Sequence, residues 1–463
     1  MMSLRNTGQT AGKGPIFMAN QVNLTRGSIM PQLLRLCIPL LAANVLQQLY
    51  NIINSLVVTY YLGSNAFAAL GVAESIMNLF IYVITGACMG ASVLVAQFYG
   101  EGNMPRLRRQ LFVSAVLIGG CTLTAVMLGQ IFLPQVLGLI RTPAELMGDA
   151  VAYLRVILVG MVFTFTYNYL ASTLRAVGDT KTALYFLLVS LGYNLACAWL
   201  LVAVFKLGIT GTAIATATAQ ALSSALCFVY IRKKRPYLTI HRADMKMDAE
   251  LAGKTVSFAA VAALQQSSLY LGKLMIQGAV NVLGTASITA FTAVTRVENF
   301  IQAFGISGCE ATAIFIAQNK GAGDIRRSLQ GFARGAALLL SWGAFFSVVL
   351  LLIPQVLLSP FLAAGEESML HGVSYFRWIG AFYWLSFTGH LFVSWYRGTG
   401  RMNITFWGTT IQVAARVVLS YLLVAFMGLG AVGLATGLGW IVIVAFHGSV
   451  FILERKGIWP RQA

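Results

Sequence analysis

Pro134-Gln135-Val136-Leu137 returns 220 residues later as Pro354-Gln355-Val356-Leu357. Outward from that match, Tyr153 and Arg155 return as Tyr375 and Arg377, shifted by 222, and Arg175 and Gly178 return as Arg397 and Gly400 at the same shift. Ala96-Gln97 and Gly100-x-Gly102 return as Ala317-Gln318 and Gly321-x-Gly323 at a shift of 221, and Leu46-Gln47-Gln48 returns as Leu264-Gln265-Gln266 at 218. A shift that drifts so little marks one duplicated unit. In a very apolar chain a half-length duplication points to a secondary transporter, whose binding site lies between the repeats.

Hydrophobic residues make up 58% of the chain and charged residues 10%, against about 25% charged in a soluble domain. The apolar runs 111–140, 185–205 and 338–358 are each long enough to cross a hydrocarbon core, which takes about 20 helical residues. The runs predict six spans in the first half, about 31–60, 67–98, 111–139, 147–173, 183–205 and 208–231. Six more follow at about 255–282, 287–317, 332–358, 370–396, 404–427 and 430–453. An even number per half starts and ends each repeat on the same side, so the repeats are parallel, related by an axis along the membrane normal. The expected fold is an all-α polytopic membrane protein, with twelve transmembrane helices as two parallel six-helix repeats. The expected division is a tail at 1–29, an N-lobe at 30–231, a basic linker at 232–254 and a C-lobe at 255–463.

A net charge of +18 would suit nucleic acid, but its placement argues for lipid instead. Lys and Arg gather in alternate short loops (Arg106 to Arg109, Arg175 and Lys181, Arg232 to Arg235, Lys320 to Arg327, Arg397 and Arg401, Arg455 and Lys456), and the loops between hold only Arg141 and Lys206. That pattern puts both termini in the cytoplasm of an inner-membrane protein. Residues 1–26 are polar and lack the apolar core of a signal peptide. The six cysteines (37, 88, 121, 197, 227 and 309) lie in apolar runs without metal-ligand spacing, which predicts small apolar core residues and no metal site. Pro39 inside the first span removes a backbone donor, so a bend is expected there.

Several separated stretches, in order, resemble the multidrug and toxic compound extrusion (MATE) transporters. They are Leu46-Gln-Gln-Leu-Tyr-Asn-Ile-Ile-Asn54-Ser through Gly63; Ala68-Ala69-Leu70-Gly71; Arg175-Ala-Val-Gly178-Asp179-Thr180-Lys181; Gly284, Ala290-Phe291 and Arg296; and Gln318-Asn319-Lys320-Gly321-Ala322-Gly323. The resemblance covers about residues 24–455. It implies two six-helix bundles around a V-shaped central cavity, and export of amphipathic, often cationic, compounds in exchange for protons or sodium ions as the lobes rock. Many bacterial members carry an aspartate where this chain has Asn54, and an amide does not titrate. Others use a glutamate in helix seven, but no acid occurs between Glu250 and Glu298. The span Tyr375 to Tyr396 holds none either.

Coupling must then fall to other groups. Charges inside a membrane are costly and each needs a reason. The acids within spans are Glu74, Glu298 and Glu310, and the bases are Arg155, Lys273, Arg296, Arg377 and Arg416. Lys273 and Glu298 flank one short outer connection and are placed to meet, either as a pair that forms and breaks during coupling or as a static tie. Local pairing of Glu298 with Arg296 is the third arrangement the spacing allows. Glu74 is the first-lobe carboxylate candidate. Glu310 either lines an inward cavity or reaches the interface, and the interface is favoured. Arg155 and Arg377, as repeat mates, share a structural task. Arg416, repeat mate of Asn194, is a structural partner or a cavity residue. His390 and His447 read as hydrogen-bonded core residues. Candidate cavity residues are Asn54, Gln47, Gln48, Tyr50, Tyr193, Gln265, Gln266, Met275, Arg296 and Arg416. Phe291, Phe300, Tyr383 and Trp384 lie on helices the resemblance puts around the cavity, where aromatic faces hold organic cations and Met adapts its shape.

The chain has no Walker A sequence, nucleophile elbow or metal-binding His/Cys cluster, so neither an ATP-driven pump nor an enzyme is expected. The expected activity is antiport export of a small amphipathic, cationic substrate by a monomer, with H+ or Na+ as coupling ion and no cofactor. The rival is a flippase for a lipid-linked sugar or other anionic amphiphile, because five intramembrane bases face three acids.

Overall fold

The computed structural model describes residues 24–139, 142–363 and 365–457; between 51 and 68, side chains are described only for Ile53 and Tyr60 to Leu62. The side chain of Asn54, and most of the expected tail, therefore lie outside the described residues. Helix α1 (Ile29–Glu101) has helical backbone over 73 residues. A straight helix of that length would put its ends about 110 Å apart. Its neighbours exclude this. Asn44 donates to Ser307 at 2.9 Å and Asn319 donates to Leu24 O at 3.3 Å, so the first stretch runs antiparallel to 307–319. Gly100, at the other end, also abuts Gln318. Both ends thus lie beside one end of the same neighbour, and α1 holds two antiparallel spans, as the expected breaks near 60 and 67 require.

The N-lobe continues with α2 (Met104–Leu139), α3 (Ala144–Ala176), α4 (Thr180–Trp199), which runs on into a π-helical turn at Leu200–Val204, and α5 (Gly208–Lys234). The C-lobe comprises α6 (Ala249–Asn281), α7 (Thr285–Gly321), α8 (Ile325–Leu352), the short α9 (Pro354–Leu358), α10 (Glu367–Gly398), α11 (Met402–Met427) and α12 (Leu429–Arg455). The repeat is visible in the starts: Met104 and Ile325, Thr180 and Met402, and Gly208 and Leu429 are 221, 222 and 221 residues apart. The opening tetrapeptide behaves differently in its two copies. Pro134 is held inside α2, whereas Pro354 takes the first turn of a separate helix, where its missing N–H is no loss.

Among the described residues, ten stretches are long and apolar enough to cross a membrane. Counting both ends of α1, these are all the long elements except α6 and α10. Those two, at 33 and 32 residues, have the length of a span but are the more polar, with Gln265, Gln266 and Lys273 on one and Arg377 and His390 on the other. The twelve expected spans are thus present, plus α9. Among the described residues there is no strand. Each lobe has its own apolar core, one around Tyr99, Tyr153 and Phe165 and the other around Tyr375, Tyr383 and Phe387. Four of the cysteines are buried as expected; Cys121 is exposed and Cys197 half-buried. His447 is buried, with Nε2 3.2 Å from Ile404 O, and His390 Nδ1 lies 2.8 Å from Ser386 O, both in line with hydrogen-bonded histidines.

The inter-lobe connection is shorter than expected. Arg232 to Lys234 extend α5, and the Asp248 carboxylate accepts from the Glu250 and Leu251 amides to cap α6, leaving 235–248. This segment is docked on α2: Arg108 pairs with Asp244 at 2.9 Å, Arg109 with Asp248 at 3.4 Å and Arg106 with Glu250 at 2.7 Å. Arg235 turns back to Asp179 at 2.7 Å. Burial pushes the Asp179 carboxyl up, but bonds from Thr182, Arg235 and Tyr230 outweigh it and hold the group below its ordinary 3.8. Asp244 is also lowered: desolvation pushes it up, but the amide of His241 and the Arg108 guanidinium together outweigh it. Asp248 is lowered chiefly by the Leu251 amide. Groups with depressed folded values stabilise docking above the ordinary carboxylate range and lose that contribution as pH falls through the folded values. Hydrogen exchange of 235–248, corrected for intrinsic rate, should therefore quicken between pH 7 and roughly pH 3, and Arg108→Gln should reproduce part of the effect at pH 7. Equal protection at both pH values would contradict this docking.

Candidate functional site

The two lobes present related but unequal walls to each other. In the N-lobe, Tyr50 donates to Asn194 Oδ1 at 2.5 Å, and the Asn194 amide donates to Thr216 at 3.3 Å. The half-buried Glu74 carboxylate lies within electrostatic reach of Tyr50, Tyr153 and Tyr270. Tyr153 OH points to Met77 Sδ at 3.9 Å. At the repeat-related place in the C-lobe, Tyr375 OH donates to Glu298 Oε2 at 3.0 Å. Met77 and Glu298 are 221 apart, and Tyr153 and Tyr375 are 222 apart. The scaffold thus puts the same tyrosine on the same helix position, and only one copy of that position carries an acid.

Lys273 on α6 and Arg416 on α11 both act electrostatically on Glu298, yet neither closes an ion pair with it among the described residues. Arg416 Nε is buried without a hydrogen-bond partner. The third arrangement the spacing allowed, Glu298 with Arg296, does not form: Arg296 is exposed and its guanidinium lies 5.9 Å from the ring of Phe361. Below Glu298, Gln302 donates to Tyr383 at 3.3 Å and to Ser386 at 3.0 Å. Glu298 is therefore a carboxylate with one hydrogen-bond donor and two cations close by but unpaired, an arrangement that can gain or lose a proton without breaking a salt bridge.

The other candidates divide by exposure. Gln47, Tyr193, Lys273 and Met275 are exposed, and Gln48, Tyr50, Gln266 and Glu74 are half-buried. Gln265 is not at a wall. It is buried between α6 and α11 and its amide donates to Thr409 at 2.9 Å. Phe291 and Tyr383 are likewise buried in the C-lobe core, while Phe300 and Trp384 remain exposed.

The basic end of the molecule is shut. A Cβ on Gly100 would fall 1.9 Å from Gln318 O, and one on Gly321 would fall 1.9 Å from Gln97 O. These are one contact seen from both sides of the pseudo-twofold axis. The same glutamines tie the lobes reciprocally: Gln97 donates to Gly398 O at 3.2 Å and Gln318 donates to Ala176 O at 2.7 Å. Close backbone approach continues at Gly90 against Phe258 O, 2.3 Å from a built Cβ. Gln110 donates to Thr255 across the same interface at 2.8 Å. Within this closure Glu310 meets Arg175 of the other lobe, Nε to Oε1 3.0 Å, an ion pair too bent to count as a hydrogen bond. Neither an inward cavity nor a reach to the interface describes Glu310 in this state.

A family model described as MatE matches residues 39–200 and again 262–422, so each half matches it once. The chain belongs to the MatE family. Among curated relatives, the probable multidrug resistance protein YoeA of Bacillus subtilis (strain 168) is 29% identical over 336 residues, covering 71% of this chain and 73% of that one. The probable multidrug resistance protein YpnP of the same organism is 26% identical over 448 residues, 94% of this chain and 97% of that one. A solved structure described as the outward-facing conformation of a multidrug resistance MATE family transporter of the MOP superfamily superposes with TM-score 0.89 at 18% identity, covering 96% of this chain and all of that one. The MatE chain is accordingly a multi-pass membrane protein with the expected two-repeat fold.

Sequence reasoning missed Arg175 as the partner of Glu310 and Tyr375 as the donor to Glu298. Both were already prominent as residues that return with their repeat mates, and that recurrence was the available signal. In this MatE chain the glycine contact has a direct test. Gly100→Ala or Gly321→Ala should destabilise the closed basic end by about 1–3 kcal/mol, the range for overpacking. Gly148→Ala, with open space around it in α3, should leave stability unchanged or raise it by up to about 1 kcal/mol. Equal thermal midpoints for the three variants would contradict the backbone-to-backbone closure.

Proposed function

We propose that the protein is a multidrug exporter of the inner membrane that exchanges an amphipathic organic cation for a proton, with Glu298 as the proton-carrying group. The observation that carries this reading is Glu298 itself, hydrogen-bonded to Tyr375 and flanked by Lys273 and Arg416 without a closed ion pair. The basic end is taken as cytoplasmic by the positive-inside pattern, so the closure at Gly100 and Gly321 makes this an outward-facing state. Alternating access then exposes the space between the lobes to one side at a time. Both lobes and the charged residues belong to one chain, which supports a monomer as the working unit.

The electrostatics favour H+ over Na+. A sodium ion at Glu298 would sit beside two fixed positive charges, whereas a proton adds no ion to desolvate. The N-lobe wall offers the complement, with Glu74 near Tyr50 and Tyr153 and, from α6 across the interface, Tyr270 as a place for a cationic headgroup against aromatic faces. Protonating Glu298 leaves Lys273 and Arg416 uncompensated and repels a cation held opposite. At ~10 Å and an effective dielectric of ~20 that repulsion is about 1.7 kcal/mol, roughly 15-fold in affinity. Deprotonated Glu298 would favour loading from the cytoplasm, and protonation from outside would favour release, which is the sign antiport requires.

A second reading rests on the same residues. Two cations against one carboxylate also suit an anionic amphiphile, as a lipid flippase would need. Binding separates the two. Affinity for a fluorescent organic cation should fall as pH is lowered in the wild type. Glu298→Gln should flatten that dependence and abolish gradient-driven efflux while leaving the fold intact. Glu74→Gln should weaken cation binding at every pH. Tighter binding of an anionic amphiphile with no cation binding would favour the flippase, and undiminished efflux in Glu298→Gln would remove Glu298 from the mechanism.

A further inference from the structure

The duplication places an arginine at the basic end of each lobe, Arg175 closing α3 and Arg397 closing α10, related by the 222-residue shift. Both line one small void between the lobes, together with Glu310 on α7 and Met89, the repeat mate of Glu310. One carboxylate therefore shares a void with two symmetry-related guanidinium groups. It takes the one across the interface, with Arg175 Nε 3.0 Å from Glu310 Oε1. Arg397, on the same lobe as Glu310, has a buried Nε without a hydrogen-bond partner, as Arg175 has, but unlike Arg175 it closes no ion pair among the described residues. Arg175 is further held by its own lobe, donating from Nη2 to Ser172 at 2.9 Å. When the lobes part at this end, Arg175 must leave with the N-lobe, while α7 and α10 stay packed together as one lobe.

We propose that Glu310 is a partner-switching latch: it holds Arg175 while the basic end is shut and passes to Arg397 when that end opens. The inference rests on the alternating-access reading above. The latch closes because one acid spans the interface, and it opens without stranding the acid because the second arginine stands ready in its own lobe. Without a second partner the half-buried carboxylate would part from Arg175 before water reaches it, uncompensated at the moment of opening. Pure duplication would put two arginines face to face and hold this end apart. Substituting an acid at one of the two positions, Glu310 rather than Met89, turns repulsion into a one-sided tie.

The test is a distance measurement between spin labels at Lys181 and Arg326, exposed on opposite lobes at the basic end, in nanodiscs with the native cysteines replaced. The wild type should show a short and a long distance whose ratio responds to pH and substrate. Glu310→Gln and Arg175→Gln should shift the ratio towards the long distance by about fivefold, the scale of a part-buried ion pair. Arg397→Gln should shift it the opposite way, because the acid loses its second partner. Arg175→Lys, which keeps the charge, should stay near wild type. Two distances in the wild type with no shift in Glu310→Gln, or with Arg397→Gln shifting the same way as Arg175→Gln, would overturn the latch and leave alternating access standing. One unchanging distance in the wild type under all conditions would overturn both. Thermal midpoints taken on the same samples identify any variant that has lost its fold, and for such a position the lysine or asparagine variant gives the reading.

Discussion

The contact between Gly100 and Gln318 on one side, and Gly321 and Gln97 on the other, is the constraint on which the rest of the structure depends. Backbone meets backbone there at a distance that no side chain can enter. The two halves of a duplicated chain can touch so closely only if each presents the same small residue to the other across an axis. The glutamines one turn away then complete each other's hydrogen bonds, to Gly398 O and to Ala176 O. Small residues give membrane helices their close approach, because lipid offers no hydrophobic drive to bring them together.

Symmetry supplies the scaffold and its breaches supply the chemistry. Tyr153 and Tyr375 occupy matching places, but one meets Met77 and the other Glu298. Asn194 and Arg416 match, but the amide is bonded to Tyr50 while the guanidinium has a buried nitrogen without a partner. Arg175 and Arg397 match, but a single Glu310 stands between them. In each case a neutral residue in one lobe corresponds to a charged one in the other. A charge inside a membrane is retained only where it has a partner or a task, and these asymmetric positions are where such tasks are found. The C-lobe carries most of them.

Much of this was legible in the sequence because duplication leaves a readable offset. The helix starts at Met104 and Ile325, and at Gly208 and Leu429, keep the shift of the tetrapeptides. The polar stretch after α5 was legible as the joint between lobes, but its length was not. Asp248 caps α6, and Arg232 to Lys234 prolong α5, through local bonds that composition does not report. Gln265 was misplaced for a related reason. A glutamine in an apolar span reads as cavity-facing, whereas here Thr409 on α11 satisfies it inside the bundle. The recurrence of Arg175 marked it as a residue with a task, but not its partner, because the Arg175–Glu310 pair joins residues 135 apart in different lobes and no periodicity links them.

Proton-driven transport is the consequence of an unpaired Glu298 that can be measured most directly. Purified protein in liposomes, loaded with a fluorescent organic cation, would be given a proton gradient in one run and a sodium gradient in another. Uphill movement driven by the proton gradient alone is the predicted result. Movement driven only by sodium, or by neither gradient in folded protein, would contradict it.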